Sequence, residues 1–271
     1  MTIPVTTSTK SRVSKLLEAH REDGRRILMT ALVAGDPHVD ATVDYLETIA
    51  GSGADVIELI VPFSDPAYHG PVIQRACERA LREDLSWADV ADIVERFRQE
   101  WETPLVVSSY YNRILAYGLE RFSEFADRTG FDAVMVADLP WEESQPLREA
   151  IEPKGVPLVP TVAPTTSENR IAMMAEASSS FFVWTGHSGS EVTLSREEFQ
   201  SSMKRYRSIA DPPIVASMKV STGEEAASVV QFSDGVLVGS ALVWLVEGRD
   251  SDLSERLAAF VGELRASLDS V

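Results

Sequence analysis

The chain has 271 residues, 44% of them hydrophobic, and we expect one domain spanning residues 1–271 around a sizeable core. Its 25 basic and 42 acidic side chains give a formal net charge of −17, which repels phosphate backbones and anionic lipid, so neither nucleic acid nor membrane is an expected partner. The single cysteine, Cys77, excludes an internal disulfide and argues against a cysteine-based metal site. The N-terminal stretch lacks the apolar core of a signal peptide, and no apolar run approaches the roughly 20 residues of a membrane helix, so a cytoplasmic location is expected.

Short apolar runs alternate with longer amphipathic segments along the chain. An amphipathic helix is predicted over Lys10–Glu22, ahead of the first strand, where it would cover one end of a barrel, and a last helix is predicted over Ser254–Leu268. Eight strands are predicted between them, at Ile27–Val33, Val56–Val61, Leu105–Ser108, Ala133–Val136, Leu158–Thr161, Phe181–Trp184, Ile214–Ser217 and Gly235–Val238. Continuous apolar runs of this length are typical of parallel strands buried on both faces.

Eight strand–helix repeats fit two folds, an open doubly wound sheet and a closed barrel. No G-x-G-x-x-G motif follows the first strand, and the chain length is close to the roughly 250 residues of a barrel. We therefore predict an α/β protein, a (β/α)₈ TIM barrel with an extra N-terminal helix. In such barrels the chemistry takes place on the loops that follow the C-terminal ends of the strands, so the side chains there are the candidates for function.

Glu58 lies inside the second predicted strand, between Ile57 and Leu59. A carboxylate in a buried strand costs on the order of several kcal/mol unless it is paired or protonated. One interpretation is a glutamate at the barrel rim that forms a salt bridge. The other is a general acid or base whose pKa is raised by desolvation, and this second interpretation makes Glu58 a candidate catalytic residue.

Three other strand-end loops carry polar candidates. His69 follows the second strand and is either an exposed loop histidine or a titratable partner opposite Glu58. Tyr110, after the third strand, is either a wall of the pocket or an ordinary packing residue. Asp138, after the fourth strand, either contacts a polar substrate group or orients its loop.

A phosphate site is predicted from the loops after the sixth, seventh and eighth strands. Ser188 and Gly189 lie in a loop of small residues whose backbone N–H groups can approach an anion. Gly239 and Ser240 follow the eighth strand, where Ser240 could begin a short helix whose N-terminus attracts phosphate. Lys219, after the seventh strand, would supply positive charge between these loops unless it is a solvated surface lysine.

A long match connects this sequence with a known family. The chain reads Glu58-Leu59-Ile60-Val61-Pro62-Phe63-Ser64-Asp65-Pro66 and then Gly70-Pro71-Val72-Ile73-Gln74. This resembles the signature E-L-G-V-P-F-S-D-P…D-G-P-x-I-Q of the tryptophan synthase α subunit family. Supporting matches are Gly35-Asp36-Pro37, Tyr110-Tyr111-Asn112, Val136-Ala137-Asp138-Leu139-Pro140 and Gly239-Ser240-Ala241. The resemblance extends from about Leu28 to Trp244.

The resemblance implies a lyase that cleaves indole-3-glycerol phosphate to indole and glyceraldehyde 3-phosphate without metal or cofactor. It implies that Glu58 is the catalytic glutamate, acting on the glycerol hydroxyl and on the indole carbon. It also implies a partner, because the family's α subunit usually docks on a β subunit, and Asp65 matches the loop position that faces it. Six further residues match pocket and phosphate-loop positions of the family, namely Tyr110, Asp138, Ser188, Gly189, Gly239 and Ser240.

Three residues depart from the family pattern. The family's second catalytic carboxylate is His69 here, and a neutral histidine, unlike a cation, could accept the hydrogen bond of the indole N–H. The family's tyrosine of the sixth strand falls at Phe181 or Phe182. Lys219 stands in place of a glycine, as a phosphate or carboxylate anchor or, if desolvation lowers its pKa, as a Schiff base former.

Three hypotheses remain open at this point. The first is a retro-aldol lyase on indole-3-glycerol phosphate or a close analogue. The second is a divergent lyase or aldolase of a specialised pathway with a different substrate, which explains His69 and Lys219 better. The third is a non-catalytic barrel that binds a β-type partner and therefore tolerates the loss of the Glu58 carboxyl group.

Overall fold

Eight parallel strands form one sheet in the computed structural model, which describes residues 12–186, 195–248 and 251–271. The strands are β1 (Ile27–Val33), β2 (Val56–Ile60), β3 (Leu105–Ser109), β4 (Ala133–Val136), β5 (Thr161–Val162), β6 (Phe182–Thr185), β7 (Ile214–Ser217) and β8 (Gly235–Val238). Their order is β4-β3-β2-β1-β8-β7-β6-β5, so every strand lies beside its neighbours in sequence and β1 pairs with β8.

The sheet closes between β4 and β5. The Val134 N–H donates to the Pro157 carbonyl oxygen at 2.9 Å, and the Val159 N–H donates to the Val134 carbonyl oxygen at 2.8 Å. These bonds join the two ends of the strand order, and the fold is the predicted (β/α)₈ barrel. None of the helices in the described ranges combines the length and the apolar character that crossing a bilayer requires.

One helix precedes the first strand, and the others lie in the connections that follow the strands. They are α1 (Arg12–Asp23), α2 (Val39–Gly51), α3 (Pro71–Leu81), α4 (Trp87–Phe97), α5 (Tyr111–Tyr117), α6 (Leu119–Thr129), α7 (Gln145–Ile151), α8 (Glu168–Ala177), α9 (Arg196–Arg207), α10 (Gly223–Val230), α11 (Ser240–Gly248) and α12 (Leu253–Asp269). The local sequence determines where several helices begin. Ser86 and Ser195 cap α4 and α9 with reciprocal side-chain bonds, and Pro71 occupies the first turn of α3.

The strand bounds agree with the prediction except at β5. Strands β1, β4, β7 and β8 have the predicted bounds, and β2, β3 and β6 differ by one residue at one or both ends. The predicted strand Leu158–Thr161 is wrong in its bounds, because β5 covers only Thr161–Val162 and Leu158 joins Val134 in an isolated bridge. Pro160 has no N–H to donate to a ladder, which explains the interruption.

Two apolar layers determine which way each strand residue points. Val56 and Ile60 belong to the cluster inside the barrel, whereas Ile57 and Leu59 pack outward against the helices. Because side chains alternate along a strand, Glu58 points into the barrel with Val56 and Ile60. The register places Glu58 beside Ala31 of β1 and Val106 of β3.

Helix α1 covers the end of the barrel where the strands begin, as predicted. Its Val13 and Leu17 are buried in the interior cluster. Arg12 contacts Asp132 at 3.2 Å just before β4, and His20 lies 3.5 Å from Asp234 just before β8. The helix therefore closes one end, and the opposite end, where the strands finish, remains for a site.

Candidate active site

Glu58 is the buried carboxyl group of the barrel interior, with 3% of its surface exposed. Its neighbours in the register are apolar, and its side chain hydrogen-bonds the Ser108 hydroxyl near the end of β3. Burial raises the pKa of Glu58 from 4.5 to about 7, and the Ser108 hydrogen bond opposes the rise. Near neutral pH the group is therefore present in both protonated and ionised forms.

The salt-bridge interpretation of Glu58 is wrong within the described ranges. No arginine, lysine or histidine there lies within ion-pair distance of its carboxyl group, and no charged group contributes to its pKa shift. Desolvation is the larger cause of the shift, as the sequence predicted. Ser108 was missed by the sequence analysis, although the alternation that turns Val106 inward also turns Ser108 inward.

His69 and Tyr110 form a contact between the loops after β2 and β3. The Nδ1 atom of His69 lies 2.9 Å from the Tyr110 hydroxyl, which also accepts a hydrogen bond from the Tyr68 N–H at 3.1 Å. The Tyr110 ring stacks on Phe63 with centroids 4.8 Å apart. Burial lowers the pKa of His69 to about 4 and raises that of Tyr110 to about 12, so both side chains are uncharged near neutral pH.

Asp138 orients the loop after β3. Its Oδ1 atom accepts a hydrogen bond of 2.7 Å from the Tyr111 N–H, in the first turn of α5. A carboxylate at this place satisfies one of the unpaired N–H groups of a helix N-terminus. Of the two roles predicted for Asp138, the loop contact is present.

A cavity of about 180 Å³ opens at the ends of β4 and β5. Asp138 and Tyr68 line it, with Arg170 and Met174 from α8. Neither Glu58 nor Tyr110 lines this cavity, and Tyr110 instead lies 3% exposed against His69 and Phe63. The hydroxyl and ring of Tyr110 make contacts between the two loops, and its role as a pocket wall stays a prediction.

The predicted helix after β8 is present. Helix α11 begins at Ser240, and its first internal backbone bond joins the Val243 N–H to the Gly239 carbonyl oxygen at 3.0 Å. The N–H groups of the first turn therefore remain available, and such a turn is an anion-binding element. A side chain at Gly239 would come within 3.1 Å of the Ala31 Cβ, which explains a glycine at this close approach.

Lys219 is exposed in the loop after β7 and lies near the Glu225 carboxylate, whose pKa it helps to lower. The Schiff base hypothesis required a desolvated lysine, and an exposed side chain beside a carboxylate does not meet that requirement. The hypothesis of an anion anchor has no such requirement. Ser188 and Gly189, the other predicted phosphate-loop residues, lie outside the described residues.

An ion-pair network that the sequence analysis missed joins the loop after β1 to helices α3 and α11. Arg79 makes two hydrogen bonds to Asp36, of 2.8 and 2.7 Å, and a third of 2.9 Å to Glu247. Arg75 also bonds Glu247, at 2.7 and 2.6 Å. No local pattern signals these contacts, since the partners are 43 or more residues apart.

These features define the class of the protein. It is a (β/α)₈ barrel with an enzyme-like site at the C-terminal ends of its strands, built on a buried carboxyl group and a helix N-terminus that follows the last strand. In the described ranges, no group of three or more histidine, cysteine, aspartate or glutamate side chains is arranged to hold a metal ion.

Comparison with known proteins defines the family. The family model described as tryptophan synthase alpha chain matches residues 17–268. The chain is 36% identical to the tryptophan synthase alpha chain of Geobacter sp. (strain M21) over 94% of its own length and 97% of that protein. It is 37% identical to that of Thioalkalivibrio sulfidiphilus, over 96% of its length and 100% of the relative.

Solved structures agree. The chain superimposes on tryptophan synthase subunit alpha from Legionella pneumophila with a TM-score of 0.91 and 31% identity, covering 97% of this chain and 100% of that one. A chain of tryptophan synthase from M. tuberculosis matches with a TM-score of 0.86 and 31% identity, covering 96% and 99%. The chain belongs to the tryptophan synthase alpha chain family, whose members are cofactor-independent carbon–carbon lyases.

Proposed function

We propose that the protein catalyses the retro-aldol cleavage of indole-3-glycerol phosphate, or of a close analogue, with Glu58 as its general acid and base. The observation that supports this most is the buried Glu58 carboxyl group, whose pKa of about 7 suits proton transfer at neutral pH. Membership of the family supports the reaction class. The three-carbon product is glyceraldehyde 3-phosphate.

One carboxyl group can serve both proton transfers of this reaction. Protonated Glu58 first donates its proton to the indole carbon that carries the glycerol chain. The carboxylate then accepts the proton of the neighbouring hydroxyl group while the carbon–carbon bond breaks, its electron pair stays with the ring and the aldehyde forms. Glu58 ends protonated, as it began, so the proton lost by the hydroxyl is balanced by the proton gained on carbon.

The substrate phosphate is proposed to bind where β7 and β8 end. The free N–H groups of the first turn of α11 and the partial positive charge of that helix end favour an anion, with Gly239 and Ser240 closest to it. Lys219 adds the positive charge that a protein of net charge −17 needs locally. Ser188 and Gly189 complete this proposed set.

We expect Lys219→Gln to raise KM for the phosphorylated substrate about tenfold and to leave kcat nearly unchanged, since it removes a contact made equally to substrate and transition state. Steady-state kinetics measure both constants. Lys204→Gln, an exposed lysine on α9, is the matched control and should change neither. An unchanged KM in Lys219→Gln would remove this residue from the phosphate site.

A partner is part of the proposal. We propose that the protein docks on a tryptophan synthase β-type subunit, as the family resemblance implies. Ser64 and Asp65 are exposed in the loop after β2, at the same end of the barrel as the candidate site, and this exposure supports a docking role. Co-sedimentation with a purified β subunit tests the pairing.

The test of the reaction is an assay of indole and glyceraldehyde 3-phosphate release from indole-3-glycerol phosphate, with and without a β subunit. Equal amounts of both products, formed faster than in buffer, are expected. A protein that binds a β subunit but releases neither product would support the non-catalytic hypothesis instead.

A substitution at His69 tests whether the substrate is indole-3-glycerol phosphate or an analogue of it. We expect His69→Asp to increase indole release at least about tenfold, because a carboxylate accepts a hydrogen bond from the indole N–H and stabilises the positive charge of the protonated ring, roughly the effect of one charge-assisted bond. His38→Asp, at the N-cap of α2, is a matched control that should show no gain. The idea fails if His69→Asp releases no more indole than the parent.

A further inference from the structure

The ion-pair network around Arg79 connects helix α11 to two other parts of the barrel. Arg79 lies on α3 and makes two parallel hydrogen bonds to Asp36, in the loop after β1, while a third bond reaches Glu247 of α11. Arg75, one turn earlier on α3, makes two further bonds to Glu247. The network therefore joins the loop after β1, helix α3 and helix α11.

The geometry of this network differs from that of an ordinary surface ion pair. The Asp36 carboxylate is 3% exposed and the Arg79 side chain is 15% exposed, so both are largely removed from water. A bidentate pair of an arginine and a carboxylate fixes an orientation as well as a distance. The pair of Arg82 and Glu78 is by contrast exposed and joins residues of α3 only. The network around Arg79 can therefore fix one element relative to another.

Glu247 occupies a place where a carboxylate alone is unfavourable. It lies in the last turn of α11, where the partial negative charge of the helix C-terminus repels an anion. Hydrogen bonds from Arg75, together with the positive charges of Arg75 and Arg79, lower the pKa of Glu247 to about 2. The carboxylate is therefore stabilised by a neighbouring helix, and this contact holds the end of α11 against α3.

The opposite end of α11 carries the turn that is proposed to bind the substrate phosphate. A side chain at Gly239 would come within 3.1 Å of the Ala31 Cβ, so this end approaches β1 closely. Along the helix, Val243 is buried in one apolar cluster with Ala76 and Ala80 of α3. Apolar contacts are non-directional, so they keep α11 on the barrel without fixing its position along its own axis.

We infer that Glu247, held by Arg75 and Arg79, is a positioning residue for phosphate recognition, because it fixes α11 where the N–H groups of its first turn reach the phosphate. The inference rests on the proposed retro-aldol function. Glu247 is separated from Ser240 by about 10 Å along the helix axis, which is roughly one Debye length, so its own charge acts weakly on the anion. Hydrogen bonds to the anion depend instead on a few tenths of an ångström.

Glu247→Gln tests the inference, because it removes the ionic contacts and keeps the shape of the side chain. In a ¹H–¹⁵N NMR titration with glycerol 3-phosphate, we expect the Ser240 and Ala241 amide signals to shift in the parent protein. The dissociation constant should rise about fivefold in the variant, less than the roughly 100-fold that a misplacement of 1 Å can cost. KM for the phosphorylated substrate should rise equally, with kcat nearly unchanged.

Indole, which has no phosphate, distinguishes positioning from a general loss of stability. We expect Glu247→Gln to bind indole as tightly as the parent protein does, while it binds glycerol 3-phosphate more weakly. A residue that only stabilises the fold would lower Tm without separating these two ligands.

Glu78→Gln is the matched control, because it removes a carboxylate from the exposed pair on α3. If charge alone mattered, both variants would bind phosphate more tightly, since each makes the protein less negative. We expect weaker binding in Glu247→Gln and parent-like or slightly tighter binding in Glu78→Gln. The double variant Arg75→Gln/Glu247→Gln has the net charge of the parent protein and should still bind as weakly as Glu247→Gln.

Arg75→Gln repeats the test at a more exposed position, where the fold should tolerate the change. It removes the two bonds that Arg75 makes to Glu247, and Arg82→Gln makes the same change of charge on the same helix. We expect glycerol 3-phosphate to bind about twofold more weakly in Arg75→Gln than in Arg82→Gln, the effect of one exposed ion pair. Equal binding by these two variants would contradict the inference.

Two other results would overturn the inference. One is an unchanged or lower dissociation constant for glycerol 3-phosphate in Glu247→Gln or in the double variant. The other is a titration of the parent protein in which the Ser240 and Ala241 signals do not move. Neither result involves turnover, so the assignment of Glu58 keeps its own test. A parent protein that shows the phosphate response but releases no product would contradict the proposed function and leave the positioning role intact.

Discussion

Replacing Glu58 by glutamine is expected to lower kcat roughly 10²–10⁴-fold, the range for loss of a general acid or base. Glutamine keeps nearly the same shape and can still hydrogen-bond the Ser108 hydroxyl, so the barrel interior should remain packed. It cannot give or take the proton that moves between the hydroxyl group and the ring carbon. Product release from indole-3-glycerol phosphate measures the effect.

Two further variants make this result specific. Glu124→Gln, an exposed carboxylate on α6, should keep the parent rate. Ser108→Ala removes the hydrogen bond that lowers the pKa of Glu58, so the pKa governing the ionised form should rise in the pH profile of kcat/KM. Full activity in Glu58→Gln would exclude Glu58 as the proton-transfer group and favour the non-catalytic hypothesis.

The same carboxyl group should make the stability of the barrel depend on pH. Its pKa is 4.5 when exposed and about 7 when buried, so the free energy of unfolding of the parent protein should fall, relative to Glu58→Gln, by about 3 kcal/mol between pH 4 and pH 8. Denaturant titrations of both proteins at several pH values measure the difference.

The direction of this pH dependence follows from whether the folded or the unfolded state binds the Glu58 proton at a given pH. Below pH 4.5 the group is protonated in both states, and the two proteins should differ least. Between pH 4.5 and about 7 the unfolded chain releases the proton while the folded protein retains it, so unfolding becomes more favourable as pH rises. Above pH 7 both states are ionised and the difference is constant. Glu124→Gln should follow the parent curve throughout, and parallel curves for Glu58→Gln and the parent would contradict the prediction.

The sequence was sufficient for the fold because the barrel repeats one local pattern. Apolar runs buried on both faces predict parallel strands, and their number and spacing predict eight repeats. The predicted bounds of the fifth strand were wrong at Pro160, because its missing N–H shortens β5 to Thr161–Val162. Leu158 still pairs with Val134 of β4, where the barrel closes. Propensity marks where a strand is favoured, and the hydrogen-bond ladder decides where it ends.

For the site, the sequence alone indicated Glu58, because the free-energy cost of burying its carboxyl group can be inferred from the apolar residues beside it in the chain. A carboxylate between apolar strand residues is costly to bury wherever the fold places that strand, so its presence there indicates a function. The contact between His69 and Tyr110 is not local, since 41 residues separate them, and it depends on how the loops after β2 and β3 fold against each other. The ion-pair network around Arg79 could not be predicted from the sequence for the same reason.

Carboxylates just before strands show that an acidic side chain next to a buried strand does not by itself predict a catalytic group. Asp55, Asp132 and Asp234 precede β2, β4 and β8, and each accepts a hydrogen bond of 2.7–2.8 Å from the first N–H groups of a neighbouring strand. They lie at the end of the barrel covered by α1 and pair with arginines or a histidine there. Their position, rather than their residue type, distinguishes them from Glu58.

Direct titration of Glu58 tests the account most sharply. ¹³C NMR of glutamate carboxyl groups, with the Glu58 signal identified by its loss in Glu58→Gln, gives the midpoint in the folded protein. We predict a midpoint near pH 7, coincident with the pKa that governs kcat/KM. A midpoint at the ordinary 4.5 would mean that the group is hydrated and ionised at neutral pH, and the proposed catalytic role would be contradicted.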